Sequence, residues 1–304
     1  MKVVYGHTDS IYVQIDSVEK AQESIKIIEE SVREHFPNVM NLKQHPVVLE
    51  FEKYYSALGV GTTKNRNAGM ITWEDGVWLD EPKFTMTGFT AKRVSVTQLE
   101  KDVQTEALKM WVNNKKMVEI NNYLHSIYRS VLNGEVDKHL FLKRSRLKES
   151  RFMVQCQSCN RKYSLKDITK LNLCGENEGK EGTHKCGEPV SSFLTIEKRR
   201  PSIGSGIAGI LYSWQKGEDN FDDSYVFLKV KGVHDVYINP LTKEKKKVEY
   251  VSGVINSDFD KYTPDWEHYS ELVLKKAKPI YESMGWDVSS IRTGKIQTSL
   301  EEWF

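Results

Sequence analysis

Asp9 lies in a short polar turn, Gly6-His7-Thr8-Asp9-Ser10, between two apolar runs, Val3-Val4-Tyr5 and Ile11-Tyr12-Val13. Two strand-like runs joined so tightly predict a β-hairpin with an acid at its tip. A carboxylate fixed on a rigid sheet suits Mg²⁺, which keeps several waters and takes only one or two protein carboxylates. His7 shares the turn, and neutral imidazole favours softer metals than Mg²⁺. A second constellation stands far down the chain, where all four cysteines fall in one stretch: Cys156-x-x-Cys159, Cys174 and Cys186. Four thiolates suit tetrahedral Zn²⁺ in a closed, structural site. His184 is an alternative ligand, and disulfides are the competing reading in an oxidising compartment. The run Gly175 to Gly182 is too polar to bury, so a metal is expected to fix the fold around it.

The chain has 304 residues, 39% of them hydrophobic and 28% charged. Both values lean toward a body with much wet surface. The net charge of +2 hides basic clusters at Lys143 to Arg146, Lys198 to Arg200 and Lys243 to Lys247. Such clusters are either solvated surface or a face that tracks phosphates. No apolar run approaches the ~20 residues of a membrane span, and no signal peptide is visible. The expected location is cytoplasmic.

These residues need elements to hold them. After the hairpin, Asp16 and Glu19 have capping-box spacing. Ala21, Ile25, Ile28, Val32 and Phe36 then recur at helical intervals up to Pro37. From Val47 to Ile71 the pattern alternates as in strands, with Glu50 and Glu52 on one side by period two. They either help to place a metal or face solvent. The first ~95 residues therefore read as an α+β unit. Ser95 and Gln98 suggest a second cap. The stripes Leu99 to Val112 and Ile120 to Val131, interrupted at Asn113-Asn114, predict a helical hairpin or one long bent helix. Residues 152–192 form the cysteine-rich insert. Strand patterns return at Tyr225 to Val230 and Val248 to Val254. Thr263-Pro264 starts a last helix that Gly285 ends, and the final ~18 residues read as a flexible tail.

Tyr5-Gly6-His7-Thr8-Asp9-Ser10 resembles motif C of the family B DNA polymerases, Y-G-D-T-D-S, with His7 where the family has its first Asp. Further segments match in order. Leu49-Glu50-Phe51-Glu52-Lys53 is similar to the acidic strand after motif C. Thr63 to Gly69 resembles the K-K-R-Y-A-G segment that contacts primer-template, with Lys64, Arg66, Ala68 and Gly69 matching and Asn65 and Asn67 departing. Lys92-Arg93 resembles the basic pair between palm and thumb. The resemblance implies an α+β fold: the C-terminal part of a palm over 1–94, and a mainly helical thumb over 95–286 containing a zinc-binding insert. In catalysis it implies Asp9 as a Mg²⁺ ligand bridging the catalytic metals, His7 at the less direct position, and Lys64, Arg66, Lys92 and Arg93 as DNA contacts. The family's other metal-binding Asp and its triphosphate-binding fingers helix are not in this sequence.

The last eight residues fit the sliding-clamp (PCNA) binding peptide, with Gln297, Leu300, Trp303 and Phe304 at its key positions. One helical turn would gather Leu300, Trp303 and Phe304 into an apolar plug; docking on its own domain is the alternative. The chain thus resembles the small chain of a split, archaeal-type polymerase acting in DNA replication or repair. Its expected partners are a larger chain with exonuclease, fingers and the rest of the palm, the sliding clamp and primer-template DNA. That resemblance implies nucleotidyl transfer only in complex, cofactors Mg²⁺ and Zn²⁺, and a nucleoid-associated location. The alternative is a non-catalytic DNA- and clamp-binding subunit of an inactivated polymerase.

Overall fold

The computed structural model describes residues 2–7, 10–93, 95–146, 152–164, 174–175, 186–189, 194–197, 224–232, 235–238, 245–253 and 258–296. The chain divides into two compact units: 1–89 with 104–124 and 277–304, and 90–103 with 125–276. All described strand pairs are antiparallel.

The first unit opens with the expected hairpin, β1 (Lys2–His7) and β2 (Ser10–Gln14), paired from Lys2↔Gln14 to His7↔Ser10 with a bulge between Val3 and Tyr5. Helix α1 (Val18–His35) follows. Its cap is Ser17, whose side chain accepts from the Lys20 N–H; Asp16 instead pairs with the Lys20 ammonium at 2.9 Å. The cap thus falls one residue later than the sequence spacing suggested. Of the predicted apolar stripe, Ala21, Ile25, Ile28 and Val32 are half-buried and Phe36 is exposed.

Residues 45–52 alternate half-buried and exposed, as the period-two pattern demands, yet they form no ladder. Side chains of α1 hold this extended segment: Arg33 Nε donates to the Val47 carbonyl, and Glu29 Oε2 accepts from the Leu49 N–H. The strand expected from Val47 begins only at β3 (Lys53–Val60). It pairs with β4 (Asn67–Glu74), which pairs with β5 (Val77–Thr87), in the order β3-β4-β5. A Cβ on Gly59 would lie 2.5 Å from the Trp111 ring, so only glycine lets that indole lie on β3.

Helices α2 (Gln98–Val112) and α3 (Met117–Leu132) resolve the long apolar stretch into two. Asn114 breaks them with φ 55. The α2 cap is the reciprocal pair Thr97 and Glu100: the Glu100 N–H donates to Thr97 Oγ1 at 3.1 Å, and the Thr97 N–H to Glu100 Oε2 at 3.0 Å. That replaces the expected Ser95 and Gln98. Leu99, Val103, Leu108, Val112, Ile120, Leu124 and Val131 are buried as expected.

The second unit holds more strand than a mainly helical thumb would. Strand β10 (Ser224–Lys229) sits between β6 (Lys143–Arg146) and β13 (Tyr250–Gly253), and β11 (Asp235–Ile238) pairs with β12 (Lys245–Val248). In the insert, β7 (Phe152–Gln155) lies between β8 (Lys162–Ser164) and β9 (Leu194–Glu197). The core includes Val226, Leu228, Phe141 and Tyr269, the two rings 4.5 Å apart.

Helix α4 (Trp266–Met284) does not start on Pro264, which bridges to Val230 instead. Asp265 caps it, accepting from the His268 N–H at 3.0 Å. Gly285 follows its last turn with φ 70, as expected. Part of the expected tail is folded. Residues Ser289–Thr293 form α5, with Ile291 fully buried. The buried Asn121 holds this turn: its Oδ1 accepts from Ser290 Oγ at 2.7 Å and from Tyr281 Oη at 2.9 Å.

Candidate nucleic-acid and metal sites

The hairpin brings His7 to the last ladder position of β1, opposite Ser10. Asp9, next to that pair in sequence, lies outside the described residues. One face of the hairpin is aromatic. Tyr5 and Tyr12 face each other across the ladder with ring centroids 5.3 Å apart, and Tyr12 meets Tyr55 of β3 at 5.9 Å. Burial and the nearby Tyr12 push the Tyr55 phenol well above its ordinary value. Tyrosine packing therefore ties the hairpin to the β3–β5 sheet. A further link reaches the basic turn, where Tyr5 Oη donates to Asn65 Oδ1 at 3.4 Å.

That turn joins β3 to β4. The Gly61 N–H donates to the Arg66 carbonyl at 2.8 Å, closing the loop around Lys64 and Asn65. Lys64 is exposed and Arg66 half-buried. Asn65 has φ 64, a left-handed conformation that asparagine tolerates better than most residues. Gly88 packs beneath it; a Cβ there would fall 1.9 Å from the Asn65 carbonyl oxygen. Asn67 is buried at the start of β4. The two departures from the family segment thus have structural roles of their own, one making the turn and one filling the interior.

Lys92 and Arg93 are exposed at the end of a one-turn 3₁₀-helix, Thr90–Lys92, in the second unit. Its base is buried chemistry. Lys276 Nζ donates to Thr90 Oγ1 at 2.7 Å and pairs with Glu100 Oε1 at 3.0 Å. Burial opposes ionisation of Glu100, but the Thr97 N–H and the Lys276 and Lys143 ammoniums outweigh it and hold the carboxyl below its usual range. Glu50 and Glu52 are exposed on the extended segment rather than on a paired strand.

The four cysteines converge. Their Sγ atoms all lie within 4.8 Å of one another. The Cys156–Cys186 and Cys159–Cys174 pairs stand at 3.6 Å, well beyond the ~2.05 Å of a disulfide bond. Zn–S bonds of ~2.3 Å in a tetrahedron give sulfur–sulfur edges of about 3.8 Å, so the spacing fits one zinc ion held by four thiolates. Backbone turns shape each arm: the Asn160 N–H donates to the Cys156 carbonyl at 3.0 Å, and the Cys174 N–H to the Glu188 carbonyl at 2.9 Å. Burial pushes the Cys174 thiol up to about 12, while the backbone at Arg161 holds the Cys159 thiol down. Tyr163, missed in the sequence, closes the inner side with its hydroxyl 3.4 Å from Cys174 Sγ. His184, Gln297, Leu300, Trp303 and Phe304 lie outside the described residues. Among the described residues, the cysteine quartet is the one cluster of three or more groups able to hold a metal, and no helix is long and apolar enough to cross a membrane.

An α+β scaffold with a hairpin, a basic turn and a thiolate cluster is the class of protein defined so far. The family model for DNA polymerase family B matches residues 1–247, and the chain belongs to that family. A similar solved structure is the family B DNA polymerase from the hyperthermophilic archaeon Pyrobaculum calidifontis, with a TM-score of 0.53 at 15% identity. The match covers 94% of this chain and 27% of that one, so this chain spans about a quarter of that polymerase. No curated protein matches.

Proposed function

We propose that this chain is the small subunit of a two-chain DNA-directed DNA polymerase. The observation that carries the proposal is the family match over residues 1–247, which takes in the motif C resemblance at Tyr5 to Ser10. The motif C resemblance brings Asp9, and the other acids of the site would come from the larger chain. Asp9 would hold Mg²⁺. The metal ions, when bound, would lower the pKa of the attacking 3′-hydroxyl and neutralise the leaving pyrophosphate. Lys64, Arg66, Lys92 and Arg93 would touch phosphates of primer-template, contacts that position the duplex without reading its sequence. The cysteine quartet would hold a structural Zn²⁺, and Gln297 to Phe304 would tether the assembly to the sliding clamp.

His7 favours a second reading, a DNA- and clamp-binding subunit of an inactivated polymerase, because imidazole stands where a carboxylate would serve Mg²⁺ better. Primer extension by the reconstituted two-chain complex separates the two. Under the first reading Asp9→Asn abolishes extension and His7→Asp raises it. Equal extension by wild type and Asp9→Asn removes Asp9 from catalysis.

A further inference from the structure

Four thiolates around one zinc ion carry more negative charge than the metal neutralises, and N–H or O–H groups aimed at the sulfurs stabilise the excess. The quartet finds such donors in two ways. At Cys159 and Cys186 the backbone serves: the Arg161 N–H donates to Cys159 Sγ and the Glu188 N–H to Cys186 Sγ, each two residues beyond its cysteine. At the buried Cys174 a side chain takes this part. Tyr163 Oη stands 3.4 Å from Cys174 Sγ. The same oxygen accepts from the Gly175 N–H at 3.2 Å and from the Arg161 side chain. A guanidinium and an amide N–H can only donate, so the phenol proton is left for the sulfur, and a thiolate can only accept it. The strands hold the ring in place. Tyr163 is buried on β8 opposite Val154 of β7, and the Cys156 N–H donates to the Arg161 carbonyl at 2.9 Å, carrying the pairing on to the first cysteine.

We propose that Tyr163 sets how tightly the quartet holds zinc, by donating a hydrogen bond from its hydroxyl to the Cys174 thiolate. This rests on the zinc reading above and adds to it a residue that is not a ligand. Tyr163 acts through Cys174 and is itself oriented by Arg161, whose backbone serves Cys159 and whose side chain serves Tyr163. The arrangement makes one donor separable from the others. Backbone N–H groups survive any side-chain substitution, whereas Tyr163→Phe removes a single oxygen and leaves the ring to fill the interior. Partners of this kind, one step outside the ligands, are worth about 10- to 100-fold in metal affinity.

The test uses the full chain, wild type and Tyr163→Phe, with two readouts. Zinc affinity is measured by competition with a chromophoric chelator. The sulfur-to-metal charge-transfer band is then recorded on chains saturated with Co²⁺, a spectroscopic substitute for Zn²⁺. Tyr163→Phe should weaken zinc binding about ten-fold or more. It should also move the cobalt band to lower energy, because a sulfur without the hydrogen bond gives up its electrons more easily. The band is read at saturation, so a general loss of stability does not move it. Arg161→Met keeps the N–H on Cys159 and should move the band the same way by less. Unchanged zinc affinity or an unmoved band in Tyr163→Phe overturns the role of Tyr163 and leaves the zinc site standing. A larger shift in Arg161→Met than in Tyr163→Phe also overturns it, because the guanidinium would then act on the sulfurs without the hydroxyl. A wild-type chain that binds neither Zn²⁺ nor Co²⁺ overturns the zinc reading and this role together.

Discussion

Asn65 is a position where sequence comparison and structure give different physics. Compared with the family segment it is a lost positive charge; in the fold it is the left-handed residue of a tight turn above Gly88. Spacing alone made the cysteines recognisable as a cluster able to hold a metal, because four thiols gathered in one stretch have few other uses. It did not show Tyr163 or the Cys174–Glu188 backbone link, since neither belongs to a spacing pattern. The tetrahedral sulfur spacing carries a residue-scale prediction. Elemental analysis of the purified full-length chain should find about one zinc per chain, and Cys174→Ser should bring that to near none. A wild-type chain without zinc would remove the tetrathiolate assignment.

At the scale of elements, helices and their apolar faces were legible and their first residues were not. All three misplaced helix starts lie within two residues of the true ones. Asp16 and Ser17 are equally competent caps by type, and the helix begins where its first residue, Val18, is buried. Residues 45–52 show the converse failure. Alternating burial arises wherever an extended segment lies on a surface, and a ladder also needs a neighbouring edge, which no local pattern encodes. The Thr97–Glu100 box does more than start α2, because Glu100 also meets the buried Lys276 that holds Thr90. Removing one member of a buried pair leaves the other charge without compensation and costs about 3 kcal/mol or more. Glu100→Gln should therefore lower the melting temperature clearly at pH 7. The sign of its pH dependence follows from the depressed carboxyl. Stability contributed by such a group is present above its unfolded value of 4.5 and is lost as pH falls through its folded value. The gap between wild type and Glu100→Gln should thus narrow below about pH 4.5. A gap that stays constant through that range would mean that Glu100 is not ionised in the fold.

For the whole molecule, the family assignment was legible from a few short motifs, whereas the short helix Ser289–Thr293 was not. Five residues with no helical periodicity, Ser289–Thr293, are held by Asn121, more than 160 positions away in sequence. Long-range polar contacts of that kind leave no local trace. They also change how a clamp tether would work. Gly294 ends α5 in a left-handed conformation, and only Lys295 and Ile296 lie between it and Gln297 in sequence. Two residues span at most about 7 Å, and a tether that short couples two bodies tightly where their geometry allows both contacts. Two truncations then have different expected outcomes. Ending the chain after Ile296 should abolish clamp binding in a pull-down while preserving the melting temperature and duplex binding in the absence of clamp. Ending it after Asp287 also removes Ile291 and the Ser290–Asn121 bonds. That truncation should cost about 2–5 kcal/mol, as for deletion of a large buried aliphatic side chain, and lower the melting temperature as well. Clamp binding retained by the chain ending at Ile296 would exclude Gln297, Leu300, Trp303 and Phe304 as the tether.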